Sequence, residues 1–230
     1  MKKLLLSILV MFIVLAIVLG GTIIWATTQH QRINVNSLTI TPLKTQRRSL
    51  TNSPKNVNIA VHTAKVIIKR GQVNQLTLNH VTPNQFDVTI KGNQLTLLQN
   101  AANNHHVELG KSAIITLTVA EPAAFTDVTI HQFNGTLQLN DLTTQRLAID
   151  HTNGTTNANH LTVTAGGHLR KQNGATTLTH LKTAGLQVSV KTGQFKLNGH
   201  KRAGNHQQAS LPGTHPLTIS SGSGQVQITD

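Results

Sequence analysis

Histidine and acidic side chains are the residues of this sequence that could carry acid–base chemistry, and there are 13 histidines and 7 acids. General acid–base catalysis requires two such groups that converge on one bond. Asp141 and Asp150 are the closest acids in the C-terminal half, and the repeat pattern of that region places them at different corners of one repeat. No Gly-x-Ser-x-Gly motif is present to position a nucleophilic serine. The sequence therefore predicts no catalytic residue, and we expect a protein that is not an enzyme.

Metal chemistry is equally weakly supported. His105 and His106 are adjacent in a polar loop, and Glu108 is the only further ligand nearby in sequence. A stable metal site needs several ligands at defined geometry. The chain contains no cysteine, which excludes thiolate ligands and disulfides. We therefore predict neither a metal nor another cofactor.

Basic residues dominate the charge of the chain, with 20 Lys and Arg against 7 acids and a net charge of +13. The first acid is Asp87, so every charged residue that precedes it is a Lys or an Arg. Such a zone beside a membrane attracts anionic lipid headgroups or wall polymers, and a solvated basic stalk is the alternative. Nucleic-acid binding is not expected, because aromatic residues for base stacking make up 3% of the chain. The candidate polyanion-binding residues are Arg32, Lys44, Arg47, Arg48, Lys55, Lys69 and Arg70.

The N-terminal segment 4–25 is an uncharged apolar run preceded by Lys2 and Lys3. At about 1.5 Å per residue, a helix of this length is about 33 Å long and crosses a bilayer core. A cleavable signal peptide is the alternative, although its apolar region is usually about 7–15 residues. We expect residues 1–3 to form a cytoplasmic tail and residues 4–26 a transmembrane signal anchor, which places a single-pass protein in the cell membrane with its C-terminal domain outside the cell.

The rest of the chain divides into two regions. Residues 27–55 are polar and weakly periodic, which predicts a basic linker with one short strand at Ile33–Ile40. Residues 56–230 contain short alternating runs of β-branched and aliphatic residues closed by Gly, Asn or Pro. This period-two alternation is the signal of β-strands. The sequence therefore predicts an all-β domain after the apolar segment.

Five glycines mark a repeat of about 20 residues, with intervals of 19, 20, 19 and 31 residues. The C-terminal LTISSGSGQVQITD is the fifth copy, because its aliphatic residues flank a glycine at the same offsets. Each copy buries one aliphatic face only if the copies stack, about 4.8 Å apart. The predicted turn glycines are Gly135, Gly154, Gly174, Gly193 and Gly224, and the predicted inward-facing residues are Leu137, Leu139, Leu147, Ile149, Leu161, Leu178, Leu186, Val188, Leu197, Leu217, Ile219, Val226 and Ile228.

This repeat favours a single-stranded β-solenoid, or β-helix-like, domain. Asn134, Asn153 and Asn173 each precede a turn glycine, and aligned Asn side chains can hydrogen-bond along a stack. A two-sheet β-sandwich of hairpins is the alternative, because Asn-Gly is also a hairpin signal. In a solenoid, His160 and His180 would stack in adjacent coils, since each lies six residues after a turn glycine. The alternative is that both occupy a solvated corner where histidine is tolerated.

Two features of the sequence resemble a known family. One is the segment AIITLTVAEPAAFTDVTIHQFNGTLQLNDL, in which Glu121 and Pro122 close a strand, and the other is the set of further repeats with their turn glycines. In both features the chain resembles the putative-adhesin family of bacterial β-strand-repeat proteins. The resemblance covers roughly residues 57–230. That family is a domain of unknown function, and its members are similar to membrane-anchored envelope proteins of Gram-positive bacteria. The resemblance implies a surface β-repeat domain and carries over no catalytic residue.

From charge, anchor and resemblance together we expect a cell-envelope protein for adhesion or scaffolding. Its partners would be anionic cell-wall polymer, lipid headgroups or a surface glycan. The alternative is a regulatory membrane protein that senses envelope stress and contacts another membrane protein.

Overall fold

The computed structural model describes residues 2–35, 37, 39–100, 108–120 and 125–230. Helix α1 comprises Lys2–Thr28. Within it, Leu6–Trp25 has a mean hydropathy of 2.8 and is long and apolar enough to cross a membrane. Such a helix near the N-terminus suits either an anchor or a signal sequence.

The chain after α1 is built from β-strands, which confirms the predicted all-β class. The strands are β1 (Gln31–Asn34), β2 (Thr39–Pro42), β3 (Lys44–Ser49), β4 (Asn56–Arg70), β5 (Gln75–Val81), β6 (Phe86–Lys91), β7 (Gln94–Gln99), β8 (Glu108–Leu109), β9 (Ala113–Val119), β10 (Phe125–Val163), β11 (Gly167–Asn173), β12 (Thr176–Thr179), β13 (Lys182–Thr183), β14 (Leu186–Leu197), β15 (His200–Ala203), β16 (Gln207–Leu211) and β17 (Leu217–Thr229).

Successive repeats pair in parallel and in register. Strand β10 is 39 residues long, bends at its corners and contains two copies of the repeat. Its second half pairs in parallel with β11, β12 and β13. Its first half pairs in parallel with β4, so that Val128 lies opposite Val57. Parallel pairing between copies is the arrangement of a solenoid, and it is incompatible with antiparallel hairpins of a sandwich.

The spatial order of the coils departs from the order in sequence. Strand β17 pairs in parallel with β11 on one side and with β14 on the other, so that Ile219 lies between Leu169 and Val188. The fifth copy of the repeat is therefore inserted between the third and the fourth. The long interval before it supplies β15 and β16, which pair antiparallel with β14. These two strands occupy the outer edge of the terminal coil, which would otherwise be open to edge-to-edge association.

The opposite end of the solenoid is covered in the same way. Strands β7 and β9 pair in parallel with β4 on the side away from β10. Antiparallel strands then follow, because β6 pairs with β7, β5 pairs with β9, and β3 pairs with β5. Both terminal coils are thus flanked by antiparallel strands.

The five turn glycines form one column through the stack. All five have φ between +104° and +137°, a region that L side chains rarely adopt. A Cβ on Gly154 would overlap the carbonyl oxygen of Gly135, and a Cβ on Gly174 would overlap that of Gly154. Gly224 is placed against Gly174, and Gly193 against Gly224, which repeats the coil order seen in the strand pairing. Only glycine allows the coils to approach this closely at the turn.

Side chains before the glycines form the expected ladder. Asn153 Nδ2 donates to Asn134 Oδ1 at 3.0 Å, and Asn173 Nδ2 donates to Asn153 Oδ1 at 2.8 Å. The core prediction is confirmed as well, because every residue predicted to point inward is at most 6% exposed. The period-two pattern therefore identified the buried face correctly throughout the repeats.

Segment 27–55 differs from the predicted linker, because it contributes three strands. Strand β3 pairs antiparallel with β5, where Arg47 lies opposite Thr77, and so joins the main sheet. Strand β1 pairs with β2 and β8. An edge strand such as β3 exposes both faces and needs few apolar residues, so its alternation in sequence is weak. The folded β domain therefore begins before residue 56.

Candidate binding surfaces

Arg32 must be removed from the predicted polyanion-binding set, because it is buried with only 4% of its surface exposed. Its guanidinium donates hydrogen bonds to Gln85 Oε1 at 2.9 Å and to the carbonyl oxygens of His80 and Lys111 at 2.8 and 2.9 Å. A buried charged group needs such partners to offset its lost hydration. Arg32 therefore ties β1 to neighbouring segments of the domain and does not face a ligand.

The other six predicted residues are exposed, and none of these cations lies within 4.0 Å of a carboxylate oxygen in the described part of the chain. They do not form one patch. Arg47 lies opposite Thr77 on the outer face of the sheet, whereas Arg48 lies opposite the buried Leu76 and donates to the carbonyl oxygen of Val88 at 3.2 Å. We call the six the terminal cations, since they lie in or directly beside β3 and β4, in the half of the sheet away from β14; they are Lys44, Arg47, Arg48, Lys55, Lys69 and Arg70.

A cluster that the sequence analysis missed lies on the outer face of the coils just before the glycine column. Asp150 Oδ2 is 3.2 Å from His131 Nδ1, and Asp150 Oδ1 is 3.7 Å from both His168 Nε2 and Arg170 Nη1. Asp150 and Arg170 are directly paired in adjacent coils, and His131 belongs to the preceding coil, 19 residues earlier. The spacing of 19 and 20 residues was a signal that could have revealed this alignment.

An exposed aromatic pair borders this cluster. The ring of Phe133 stacks on the imidazole of His62, with centroids 4.8 Å apart and planes inclined by 19°. A groove of about 320 Å³ is lined by both rings and by His131, Asp150 and Thr152.

A second groove of about 270 Å³ begins where the first one ends, because Asp150 and Thr152 line both. Arg170 and Ser220 lie along its far part. We call the combined surface the Asp150 groove; its outward-facing side chains are His62, His131, Phe133, Asp150, Thr152 and Arg170.

Inside the solenoid, next to the Asp150 groove, lies an unusual column of buried polar side chains. Gln132, His151, Lys171 and Ser221 occupy equivalent inward positions in neighbouring coils and are between 1% and 4% exposed. Lys171 Nζ is 3.3 Å from His151 Nδ1, which also lies 2.8 Å from Thr156 Oγ1. Across the described residues, no carboxylate oxygen lies within 4.0 Å of Lys171 Nζ.

Burial shifts the protonation of both basic groups in this column. Burial lowers the pKa of Lys171 to about 8, because the ammonium loses its hydration. Burial, and secondarily the charge of Lys171, lowers the pKa of His151 to about 4. Lys171 is therefore mostly charged at neutral pH without a counterion nearby, which is a destabilising arrangement.

The predicted stacking of His160 and His180 is confirmed. Their rings lie 4.4 Å apart and are inclined by only 8°. The position is also a solvated corner, because the His160 side chain is 55% exposed and both residues have φ near +53°. Asp141 Oδ1 lies 3.3 Å from His160 Nδ1, whereas Asp150 belongs to the separate cluster around His131. The two carboxylates thus have different neighbours and do not share one site.

Two further sequence predictions concern residues outside the described ranges. His105 and His106 lie outside the described residues, as do Glu121 and Pro122. Within the ranges that the structure describes, no group of three or more His, Asp or Glu side chains could hold a metal ion.

No protein-family model matches the chain, and no curated protein matches its sequence. Solved structures do match, including a putative cell adhesion protein from Clostridium sporogenes, with a TM-score of 0.64 and 13% identity over 81% of this chain and 99% of that one. A putative adhesin from Bacteroides fragilis is 14% identical, with a TM-score of 0.33 over 80% of this chain and 97% of that one. A putative adhesin from Parabacteroides distasonis is 12% identical, with a TM-score of 0.32 over 81% of this chain and 97% of that one. The Clostridium structure confirms, at the level of the fold, the resemblance seen in the sequence.

Proposed function

We propose that this chain is a membrane-anchored cell-surface protein that adheres by binding anionic polymers and that it does not catalyse a reaction. The terminal cations carry the proposal, because all six are exposed and lack a carboxylate neighbour within the described structure. Without Lys2 and Lys3, the chain has 18 basic residues against 7 acids, a net charge of +11. Such an excess attracts polyanions over the screening length of about 8–10 Å. Anionic wall polymer, lipid headgroups and acidic glycans share this chemistry.

The location is part of the same proposal. The apolar helix segment Leu6–Trp25 would anchor the protein, with Lys2 and Lys3 inside the cell and the β domain outside. The shared fold with a putative cell adhesion protein supports a surface role. N-terminal sequencing of protein extracted from membranes should therefore begin at Met1 or Lys2. Mature protein that began at Thr27 would instead identify a cleaved signal peptide.

A binding role is also favoured by the arrangement of the acids. Asp127 is paired with Arg146, Asp141 lies beside His160, and Asp150 lies among two histidines and Arg170. These carboxylates therefore have separate partners, and acid–base catalysis of glycan cleavage would require two that face one bond. The regulatory alternative remains a prediction, which a two-component system encoded beside the gene would favour.

Binding of inorganic polyphosphate to the full chain in neutral-lipid nanodiscs tests the polyanion proposal. We expect binding at low salt that weakens steadily as salt rises, because screening removes long-range attraction. Replacing Arg47, Arg48, Lys69 and Arg70 together with Gln should weaken binding most. The matched control replaces four exposed cations of the C-terminal coils and also removes four charges; these are Lys182, Lys191, Lys201 and Arg202.

Equal loss in the two quadruple variants would show that net charge alone drives binding, and binding that ignored salt would refute the electrostatic proposal. Acidification should tighten binding, since histidine ordinarily gains a proton near pH 6.5. His151 will not contribute at pH 5, because its burial lowers its pKa to about 4. The thirteen histidines therefore cannot all add charge.

A further inference from the structure

We propose that the Asp150 groove binds an acidic oligosaccharide, with one sugar ring against Phe133 and a uronic-acid carboxylate against Arg170. This inference rests on the proposed adhesive function and names a ligand class for it. Its site differs from the terminal cations, because none of the residues that line the groove belongs to that set.

Phe133 gives the groove an exposed aromatic platform. It is 41% exposed, whereas Phe125 and Phe195 are buried in the core. An exposed aromatic ring offers a rigid, flat apolar surface on which a ligand can pack. Stacking on His62 holds the ring in a defined orientation. A flat ring of this kind suits the apolar C–H face of a pyranose.

Asp150 and Arg170 supply the polar half of the site. The Asp150 carboxylate is partly exposed and can accept hydrogen bonds from sugar hydroxyls. The Arg170 side chain is 66% exposed, and its distance of 3.7 Å from Asp150 is longer than a hydrogen bond. Its planar donors therefore remain available to hold a carboxylate in a bidentate manner.

The spacing of these groups fits an extended glycan better than a compact ligand. Phe133, Asp150 and Arg170 lie in three successive coils, so the strands that carry the ring and the guanidinium are two coil spacings apart, about 10 Å along the stack. That separation is comparable to the length of a disaccharide. The groove volumes of about 320 and 270 Å³ lie near the lower end of known ligand sites. The site is built on paired strands, so its geometry is already formed without the ligand.

Another groove on the described surface lacks this combination. It has a volume of about 400 Å³ and lies between β14 and β16. Its lining includes Gln187, Ser189, Gln208 and Thr218, and contains neither a charged nor an aromatic side chain. It offers hydrogen bonds alone, whereas the Asp150 groove joins a ring, a carboxylate and a cation.

The test measures binding of defined tetrasaccharides to the full chain in neutral-lipid nanodiscs by calorimetry. The acidic probes are hyaluronan, oligogalacturonate and alginate tetrasaccharides. Chitotetraose serves as the neutral probe, because it shares N-acetylglucosamine with hyaluronan but has no carboxylate. Polyphosphate serves as the probe with charge but no sugar ring. We expect at least one acidic tetrasaccharide to bind at least ten-fold more tightly than chitotetraose.

Phe133→Ala and Arg170→Gln should each weaken that binding at least five-fold. Phe133→Ala should leave polyphosphate binding unchanged, and the control Lys191→Gln, an exposed cation that lines neither groove, should have little effect on the tetrasaccharide. Circular dichroism and thermal unfolding verify that each variant is folded. Both substitutions change exposed side chains, so the core stays intact.

Three results would overturn the proposal: no binding by any acidic tetrasaccharide, equal binding of chitotetraose, or tetrasaccharide binding that Phe133→Ala leaves unchanged. Its failure is separable from that of the polyanion proposal. Polyphosphate binding that is lost on neutralising the terminal cations, together with an inactive Asp150 groove, would retain the proposed function and reject this site alone.

Discussion

Lys171→Met should raise the free energy of unfolding at neutral pH, because it removes a buried ammonium that has no carboxylate neighbour among the described residues. Methionine has nearly the length and volume of lysine, so the core should remain filled. The contact that disappears is the one from Lys171 Nζ to His151 Nδ1, and His151 keeps its partner Thr156.

The pKa of Lys171 sets the magnitude. Its lowering from 10.5 to about 8 corresponds to about 3 kcal/mol of unfavourable burial of the charged form, at 1.36 kcal/mol per pKa unit. A lost hydrogen bond offsets about 1 kcal/mol of the benefit. We therefore expect a gain of about 1–3 kcal/mol, within the range seen when buried charges are replaced by apolar residues.

The pH dependence has a definite sign. Between about pH 8 and pH 10.5, Lys171 is deprotonated in the folded state and still protonated in the unfolded state. The unfolded state binds more protons there, so the contribution of Lys171 to stability rises with pH across this window. The advantage of Lys171→Met should thus be largest below pH 8 and should shrink toward pH 10.5.

Urea unfolding followed by circular dichroism, at neutral pH and again near pH 10, measures both effects. Lys191→Met is the control, since Lys191 is exposed and its replacement should change stability little at either pH. A variant that is less stable than the wild type at neutral pH, or whose advantage is the same at both pH values, would refute the reasoning. The first outcome would mean that Lys171 has a stabilising partner in solution, and the second would mean that its charge is not the source of the cost.

Leu147→Ala should cost about 2–5 kcal/mol of unfolding free energy, because Leu147 is fully buried in a central coil; unchanged thermal stability would contradict the register. Gly154→Ala should lower the melting temperature strongly, since its Cβ would overlap the carbonyl oxygen of Gly135, whereas Gly199→Ala, with positive φ but open space, should lower it less. The free energy of unfolding of the wild type should fall by about 3 kcal/mol from pH 6.5 to pH 4, because over this range His151 is protonated in the unfolded state and still neutral in the folded state. His151→Leu should flatten that decline in urea titrations, and an equally steep decline would exclude His151 as its cause.

Local patterns in the sequence determined the repeat, its turns and its buried face. Leu147 and Ile149 alternate with outward residues, and this period of two depends only on the geometry of an extended chain. Gly154 was identifiable as a corner because a turn of this kind needs positive φ. The same alternation places His151 and Lys171 on the inward side, although their residue types suggested the surface. Here parity was the stronger signal.

The tertiary structure alone decided which coil lies beside which. Every copy presents a similar aliphatic face and the same parallel hydrogen-bonding edges, so β17 could pair with β14 from either side, and the sequence does not encode that choice locally. The long connection before β17 permits the insertion between β11 and β14.

The Asp150 groove also depends on this third dimension. Phe133, Asp150 and Arg170 are separated by about one repeat each along the chain, and only stacking brings them onto one surface. Arg32 shows the converse, because distant segments fold over a residue that its neighbours in sequence mark as exposed. Burial and proximity arise from contacts between remote parts of the chain, whereas alternation and turn geometry arise within a few residues.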